Sequence, residues 1–536
     1  MNLDARAWGQ RAAALGAGLA AAFAQPPFGL LPGLLGYAAM LWLADDAAAP
    51  RPLRLAFFRG WLAGVGYFAV SIWWIAEAFY VDAANQAWMA PFAVALVAMG
   101  LAMFWGVGLA LYRWLAPQGA LRLLVFAGAL AGAEWLRGHL FTGFPWDLPG
   151  ETWKAGSAIS QTASLVGAYG LTWITLAIAA APGLGWRRTG ARIAIAGAVL
   201  ALAGLYGFGA WRLAHATAGP APNAPIIRVV QPDTRELPAY DAAAFADVVH
   251  RNLALTEAPA AGGDRPDIVI WSEQGIPAAL GDYLAPGTWT EAAIEQALQP
   301  GQVLITGGYR SLPAPPGAYA PDGVVYRNSL VALQRTAGGL TLTALYDKHR
   351  LTPFGEYLPF DRWLGPLGLN ALIHVGSGMT PGPPPRPITP AGAPPVQPLI
   401  CYESLFPDFV RDGALAAHLR PAWIVNVSDD AWFGVTSGPW QHLNIASYRA
   451  IEVGLPMVRA TPTGISAVID AYGRSADDHH LGQGVNGKID SRLPAALAPT
   501  LFYSFGETAF FGFLTISLIS FLVGRSAILR RNGKGH

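Results

Sequence analysis

The sequence predicts two architectures in one chain: an α-helical transmembrane bundle of eight spans and one α/β layered domain. Three observations carry this expectation: a deficit of charge, eight apolar runs near twenty residues long, and a switch to short β-rich runs after residue 222. Of 536 residues, 53% are hydrophobic and 13% are charged, against the ~25% charge usual in soluble proteins. Much of the chain is therefore kept from water. The net charge of +1 supplies no field to gather nucleic acid or acidic partners, and there is no basic stripe, RNA-binding motif or zinc-finger spacing. A single cysteine excludes an intramolecular disulfide and a cysteine-rich metal site. No cofactor or metal is expected.

Crossing a bilayer core takes ~20 apolar residues of helix. Suitable runs lie at 8–25, 28–46, 56–80, 86–113, 121–137, 159–185, 191–212 and 505–524. The first is short, rich in Ala and Gly, and lacks large side chains. Its end, Ala22-Phe23-Ala24-Gln25, also resembles a signal-peptidase site, although the region before it is poorly basic. Positive side chains then alternate between connections. Arg6 and Arg11 lie at the start, Arg51, Arg54 and Arg59 after the second run, Arg113 and Arg122 after the fourth, and Arg187, Arg188 and Arg192 after the sixth. Arg525, Arg530, Arg531 and Lys534 follow the last. The intervening connections are poor: 26–27 and 81–85 hold no Lys or Arg, and 138–158 holds Lys154, with Arg137 at its edge. Lys and Arg accumulate on the cytoplasmic side. Both termini are thus expected in the cytoplasm, and the segment between the seventh and eighth spans outside it. The bundle is assigned to 1–214 and its last span to 500–528. The connection containing Gly143-Phe144-Pro145-Trp146-Asp147 reads equally as an interfacial aromatic anchor or as a re-entrant floor beneath an active site, permitted only where protein or water covers the backbone.

From 222 to 492 the pattern changes. Strands are expected at Ile226–Gln231, Asp267–Trp271, Gln302–Gly307, Asn328–Gln334, Leu340–Tyr346, Val396–Cys401, Trp423–Val427 and Ile465–Asp470. Several are continuous apolar runs, as in strands buried on both faces. Helical patterns intervene at Ala242–Glu257, Thr288–Ala297 and Trp440–Val453, and the Pro-rich stretches 311–322 and 381–397 read as surface loops.

Cys401 ends the apolar run Pro398-Leu399-Ile400 and precedes Tyr402-Glu403-Ser404. A lone cysteine is usually a small buried hydrophobe, but this one stands at a strand end beside polar residues. A cysteine nucleophile needs a base to form thiolate. His349 and His442 lack a papain-like or caspase-like context. Glu273, just past a buried strand, and Lys348, at another strand end, are better placed. Singly, each reads as a solvated loop charge. Together they supply a proton acceptor and a cation able to hold a developing oxyanion. Asp477-Asp478-His479-His480 has metal-ligand types, but neighbours on a strand point to opposite faces, so it reads as an exposed turn.

Glu273, Lys348 and Cys401, in this order and with these flanks, resemble the Glu-Lys-Cys triad of the nitrilase (carbon–nitrogen hydrolase) superfamily. Tyr326-Arg327-Asn328-Ser329, Lys348–Glu356 and Asn426–Gly434 match as well. The branch fused into eight membrane spans is the apolipoprotein N-acyltransferase family, and the resemblance extends to Gly143-Phe144-Pro145-Trp146. It implies an αββα sandwich on the periplasmic side of a bacterial inner membrane. It also implies transfer of an acyl chain from a phospholipid, typically phosphatidylethanolamine, through a Cys401 thioester to the α-amine of a diacylglyceryl apolipoprotein. On this resemblance Glu273 is the general base and Lys348 stabilises the tetrahedral intermediate, with Glu356, Tyr402 and Glu403 in support. Tyr240 stands where tryptophan is expected, which bears on lipid binding and not on the chemistry. The apolar stretch Trp363–Leu369 with Ala371–Ile373 is greasy enough to dip into lipid or gate entry, or it packs within the domain. A membrane-tethered amidase or nitrilase would carry the same triad, with water as the acceptor. A transporter is disfavoured, because the spans hold few ionisable residues, chiefly Glu77 and Glu134.

The arginine alternation makes a topological prediction. With Cys401→Ser as background, single cysteines introduced beside Arg188 and beside Asp322 should react with an impermeant thiol reagent from opposite faces of the membrane. Labelling of both from one face overturns the assignment.

Overall fold

Backbone amides in a lipid core must find partners within the chain, and each predicted apolar run contains a helix. A computed structural model describes all residues except 1–2, 48–50, 117, 217–218, 221–222, 261–262, 316–322, 359–377, 477–478 and 533–536. The greasy stretch 363–373 lies outside the described residues. The chain divides into two compact units: Met1–Ala216 with Trp440–Glu452 and Pro499–His536, and Thr217–Pro439 with Val453–Ala498.

In the first unit the principal helices are Leu3–Phe23, Leu35–Asp45, Pro52–Ser71, Ala90–Leu115, Arg122–His139, Ala163–Ala180, Thr189–Ala214 and Thr508–Asn532. By length and composition, four stretches among the described residues suffice to cross a membrane: Ala83–Leu115, Ile159–Leu184, Thr189–Ala214 and Thr508–Arg525. The expectation was eight. Leu35–Asp45 is only 11 residues long, and the other three helices carry internal charges such as Arg11, Arg59 and Glu134. The run expected to continue to residue 80 breaks at Ser71 and resumes as Ile75–Ala78. Thr189–Ala214 buries only Ala191 and Gly209 and turns Ile193, Val199 and Leu200 outward. Such a helix, apolar all round, suits a lipid surround.

Several buried charges inside this unit are paired, as a low dielectric requires. Glu134 and Arg137 form a fully buried ion pair, and the Trp105 indole donates to Glu134. Arg449 lies 3.3 Å from Glu151 and 2.9 Å from Glu452. The aromatic connection folds inward: Trp146, Asp147 and Leu148 are buried. The Tyr67 hydroxyl donates to the Asp147 carbonyl at 2.6 Å and Gln25 to the Leu148 carbonyl at 3.1 Å. Trp74 and Trp146 donate to Gln441 Oε1 at 3.0 and 3.2 Å. Protein thus covers this non-helical backbone, the condition under which it is tolerated at membrane depth, and Trp146 is not an exposed interfacial anchor.

Among its described residues the second unit contains eleven strands: β1 (Ile226–Gln231), β2 (Ile268–Ile270), β3 (Val303–Pro313), β4 (Val324–Thr336), β5 (Gly339–Asp347), β6 (Val396–Ile400), β7 (Trp423–Val427), β8 (Met457–Ala460), β9 (Ser466–Ile469), β10 (His480–Leu481) and β11 (Gly487–Arg492). They form a six-stranded sheet, β11-β1-β2-β3-β4-β5, and a five-stranded sheet, β10-β9-β8-β7-β6. Ile227, Val229, Ile270, Ile305 and Leu330 of the first pack against Val396, Ile400, Val425, Val427 and Val458 of the second. The first sheet's other face carries Val269, Trp271, Leu304 and Val331 against Phe245, Val249 and Ile294 of helices Ala242–Glu257 and Trp289–Ala297. Helix Phe409–Ala416 lies against β6. This is the αββα sandwich, and burial on both faces explains the unalternated strands.

β3 and β4 exceed their expected lengths because they pair with each other over their full extent. Three strands escape the sequence reading. β8 is four residues long and contains Arg459, fully buried yet charged. β11 alternates Lys488, Asp490 and Arg492 along an edge. β10 begins at His480, which pairs with Ala467, so that histidine is not the turn residue expected.

A close approach of backbone to backbone fixes the chain leaving β2. Gly307 on β3 packs against it: a Cβ there would fall 2.2 Å from the Glu273 carbonyl oxygen. Backbone cannot yield as a flexible side chain does. Gly307→Ala should therefore destabilise the protein by about 1–3 kcal/mol, seen as a lowered thermal midpoint. An unchanged midpoint would show that the two segments are free to part.

Candidate active site

Parallel strands deliver side chains at one edge. β2 and β3 are parallel, while β4 is antiparallel to both β3 and β5, so β2, β3 and β5 end on the same side of their sheet. Past the end of β2, Trp271 N–H donates to Ile305 O at 2.9 Å and Gly307 N–H to Ser272 O at 3.1 Å. These bonds hold Glu273 against β3. Past the end of β5, Lys348 N–H donates to Asn328 O at 2.8 Å.

The Lys348 ammonium is 1% exposed and lies between two carboxylates, 3.3 Å from Glu273 Oε1 and 3.0 Å from Glu356 Oε2. Asn328 Nδ2 donates to Glu273 Oε1 and Glu356 Oε1, both at 2.7 Å. Thr352 N–H donates to Glu356 Oε2 at 2.7 Å. Burial opposes the Lys348 charge, but Glu273, Glu356 and Cys401 outweigh it and raise the pKa above the ordinary lysine value. Glu273 is buried, and its Oε2 has no hydrogen-bond donor among the described residues. That oxygen is open to accept a proton.

Cys401 follows β6 with φ at +47°, a left-handed conformation uncommon outside glycine. Its side chain therefore does not continue the alternation of the strand. Burial and the Glu273 carboxylate push its thiol pKa up, while Lys348 and a hydrogen bond with Ser428 pull the other way.

Behind these groups Glu403 ties two strand ends together. Its Oε2 accepts from Ile400 N–H at 2.8 Å, and its Oε1 accepts from the Tyr346 hydroxyl at 2.8 Å, His349 N–H at 2.7 Å and Arg350 N–H at 3.2 Å. Burial pushes this carboxyl up to about 7, against the pull of those donors. Tyr402 is buried with its ring edge-on to Phe406, on which the Arg350 guanidinium also sits. The Tyr240 phenol is raised by burial and by the nearby Glu236 and Asp429.

The structure thus gathers Glu273, Lys348, Glu356 and Cys401, and sets Glu403 and Tyr402 behind them. Asn328, Glu236 and Asp429 are the groups that sequence reasoning missed as site residues. Asn328 stands inside the Tyr326–Ser329 motif, and that motif was the signal that could have singled it out. Glu403→Ala would leave the Ile400, His349 and Arg350 N–H groups without their acceptor. At ~1–3 kcal/mol for each buried donor left unpaired, the thermal midpoint should fall by several degrees. Retention of the wild-type midpoint would deny Glu403 this tying role.

The family model for the apolipoprotein N-acyltransferase N-terminal domain matches residues 17–181, and that for carbon-nitrogen hydrolase matches residues 226–483. The apolipoprotein N-acyltransferase of Caulobacter vibrioides is 54% identical over 96% of this chain and 94% of its own length. Those of Rhodopseudomonas palustris and Brucella melitensis are 37% and 38% identical over 99% and 92% of this chain. A cysteine, a carboxylate and a buried cation at converging strand ends, in a chain alike along nearly its whole length, lead to one assignment: the chain belongs to the apolipoprotein N-acyltransferase family.

Proposed function

We propose that this protein takes an acyl chain from a phospholipid, phosphatidylethanolamine foremost, and transfers it through a Cys401 thioester to the α-amine of a diacylglyceryl apolipoprotein. The observation that carries the reading is the buried Glu273–Lys348 pair beside the thiol, with Glu273 Oε2 open. In the first half-reaction Glu273 takes the Cys401 proton as sulfur attacks the ester carbonyl. Lys348 opposes the charge that develops on the carbonyl oxygen. Glu273 returns the proton to the departing alcohol, so a C–S bond forms, a C–O bond breaks and lysophospholipid leaves. In the second, the amine attacks the thioester, Glu273 accepts its proton, and sulfur departs and regains a proton from Glu273. Glu356 keeps Lys348 charged and in place, and Tyr402, Glu403 and Tyr240 support the site.

Both substrates are anchored in a bilayer, which gives a reason for the helices. On the arginine alternation, residues 1–214 and 500–528 form eight spans with cytoplasmic termini. Residues 222–492 then form the catalytic domain, on the periplasmic side of the bacterial inner membrane.

Covalent catalysis with two substrates in turn yields ping-pong behaviour. Phospholipid alone should release one equivalent of lysophospholipid and leave a lasting, hydroxylamine-labile acyl group on Cys401 by intact mass. A diacylglyceryl peptide with a free α-amine should discharge it. Glu273→Gln should slow acylation by on the order of a hundredfold, and Cys401→Ala should abolish it. Sustained release without acceptor would make the enzyme a hydrolase instead.

A further inference from the structure

A second acidic pair lies beside Glu273, and the acyl-transfer chemistry does not use it. Asp429 follows β7 and is 3% exposed. Its Oδ1 accepts from Ala431 N–H at 3.1 Å, but its Oδ2 has no donor among the described residues. Glu236, in the stretch that follows β1, brings its carboxyl group against that of Asp429. Two ionised carboxylates cannot make such a contact, because each only accepts. One proton between them turns the repulsion into a hydrogen bond and satisfies the orphaned oxygen.

The surroundings supply no other remedy. Glu273 and Asp430 add negative charge near Asp429, and the Tyr240 phenol faces both members of the pair. The neighbouring cations are engaged: Arg459 donates to Asp430 at 2.8 and 2.7 Å, and Lys348 lies between Glu273 and Glu356. The stretch carrying Glu236 is tied at its start, where Asn486 donates to Pro232 O at 2.9 Å, Thr463 to Asp233 Oδ1 at 2.9 Å, and Thr234 N–H to Pro462 O at 3.3 Å. Asp241 then caps helix Ala242–Glu257.

We propose that Glu236 and Asp429 share a single proton, and that this proton docks the 232–241 stretch, Tyr240 included, beside Glu273. Glu236 is then a positioning residue. Burial first, and then the nearby carboxylates, push both members of the pair upward: Asp429 and Glu273 act on Glu236, and Glu273 and Asp430 act on Asp429. On this proposal the buried pair keeps its one proton at neutral pH, because a proton between them relieves the repulsion of two facing anions. When it leaves at alkaline pH, two anions face each other next to the base, Glu236 is driven outward, and the added charge disfavours the anionic tetrahedral intermediate at Cys401. The acyl-forming step falls on the alkaline side.

The activity part of this inference rests on Glu273 as the base, so the test has an arm that does not. In full-length Cys401→Ala protein, infrared difference spectra between neutral and alkaline pH should show a carboxylic-acid band that vanishes as pH rises. It should be missing when Glu236→Gln or Asp429→Asn is added. The second arm follows acyl-enzyme formation from phospholipid alone, by mass, across pH. Glu236→Ala should slow it at least about tenfold at neutral pH. Glu236→Gln, whose amide donates to Asp429 without titrating, should restore most of the rate and flatten the alkaline fall. An unchanged band in Glu236→Gln, or a wild-type pH profile in that variant, overturns the proposal. If Glu273→Gln acylates normally while the band behaves as described, the base assignment fails and the shared proton stands.

Discussion

The Lys348 ammonium, buried between the carboxylates of Glu273 and Glu356, is the interaction on which the rest of the catalytic unit depends. A lone ammonium removed from water is destabilised by several kcal/mol, and only close partners of opposite charge offset that. Once Lys348 is buried, both glutamates must stay near it. Asn328 then becomes necessary as the donor that turns one oxygen of each toward the pair. The remaining oxygen of Glu273 is left open because the lysine and the amide converge on its other one.

The scaffold makes that burial possible. Two sheets face each other across an apolar interior, and the strands that end at Glu273 and Lys348 run in one direction within their sheet. Polar side chains at those ends meet beyond the apolar cluster that joins the two sheets. The helical unit follows the same rule by other means. Its buried charges, Glu134 with Arg137 and Arg449 with Glu151 and Glu452, are matched in place, because neither lipid nor packed protein solvates an unpaired ion.

Much of this was legible beforehand. Continuous apolar runs such as Ile268–Ile270 announced strands covered on both faces, and these lie in the sandwich interior. Cys401, Glu273 and Lys348 were legible only together, as a thiol, a carboxylate and an ammonium each standing just past a strand end. The span count was less so: helix Leu35–Asp45 is shorter than its apolar run, since Leu31–Leu34 winds as a separate 3₁₀ turn. β8 was hidden by Arg459, whose charge hides a core strand until Asn426 and Asp430 are seen to hold it. Glu403 read as a neighbour of the nucleophile, whereas it ties the ends of β5 and β6.

By itself the sequence determined which segments avoid water, which strands lie inside, and which chemical groups stand at their ends. All three follow from local composition and period, which each residue's immediate neighbours record. Only the tertiary structure decided that Lys348 meets a glutamate 75 residues away, that Cys401 sits in a left-handed turn, and that Glu236 faces Asp429 across a shared hydrogen bond. Those outcomes depend on strand order and on how two sheets stack. Local pattern does not encode such distant pairings, because their free energy exists only once both partners have been buried together.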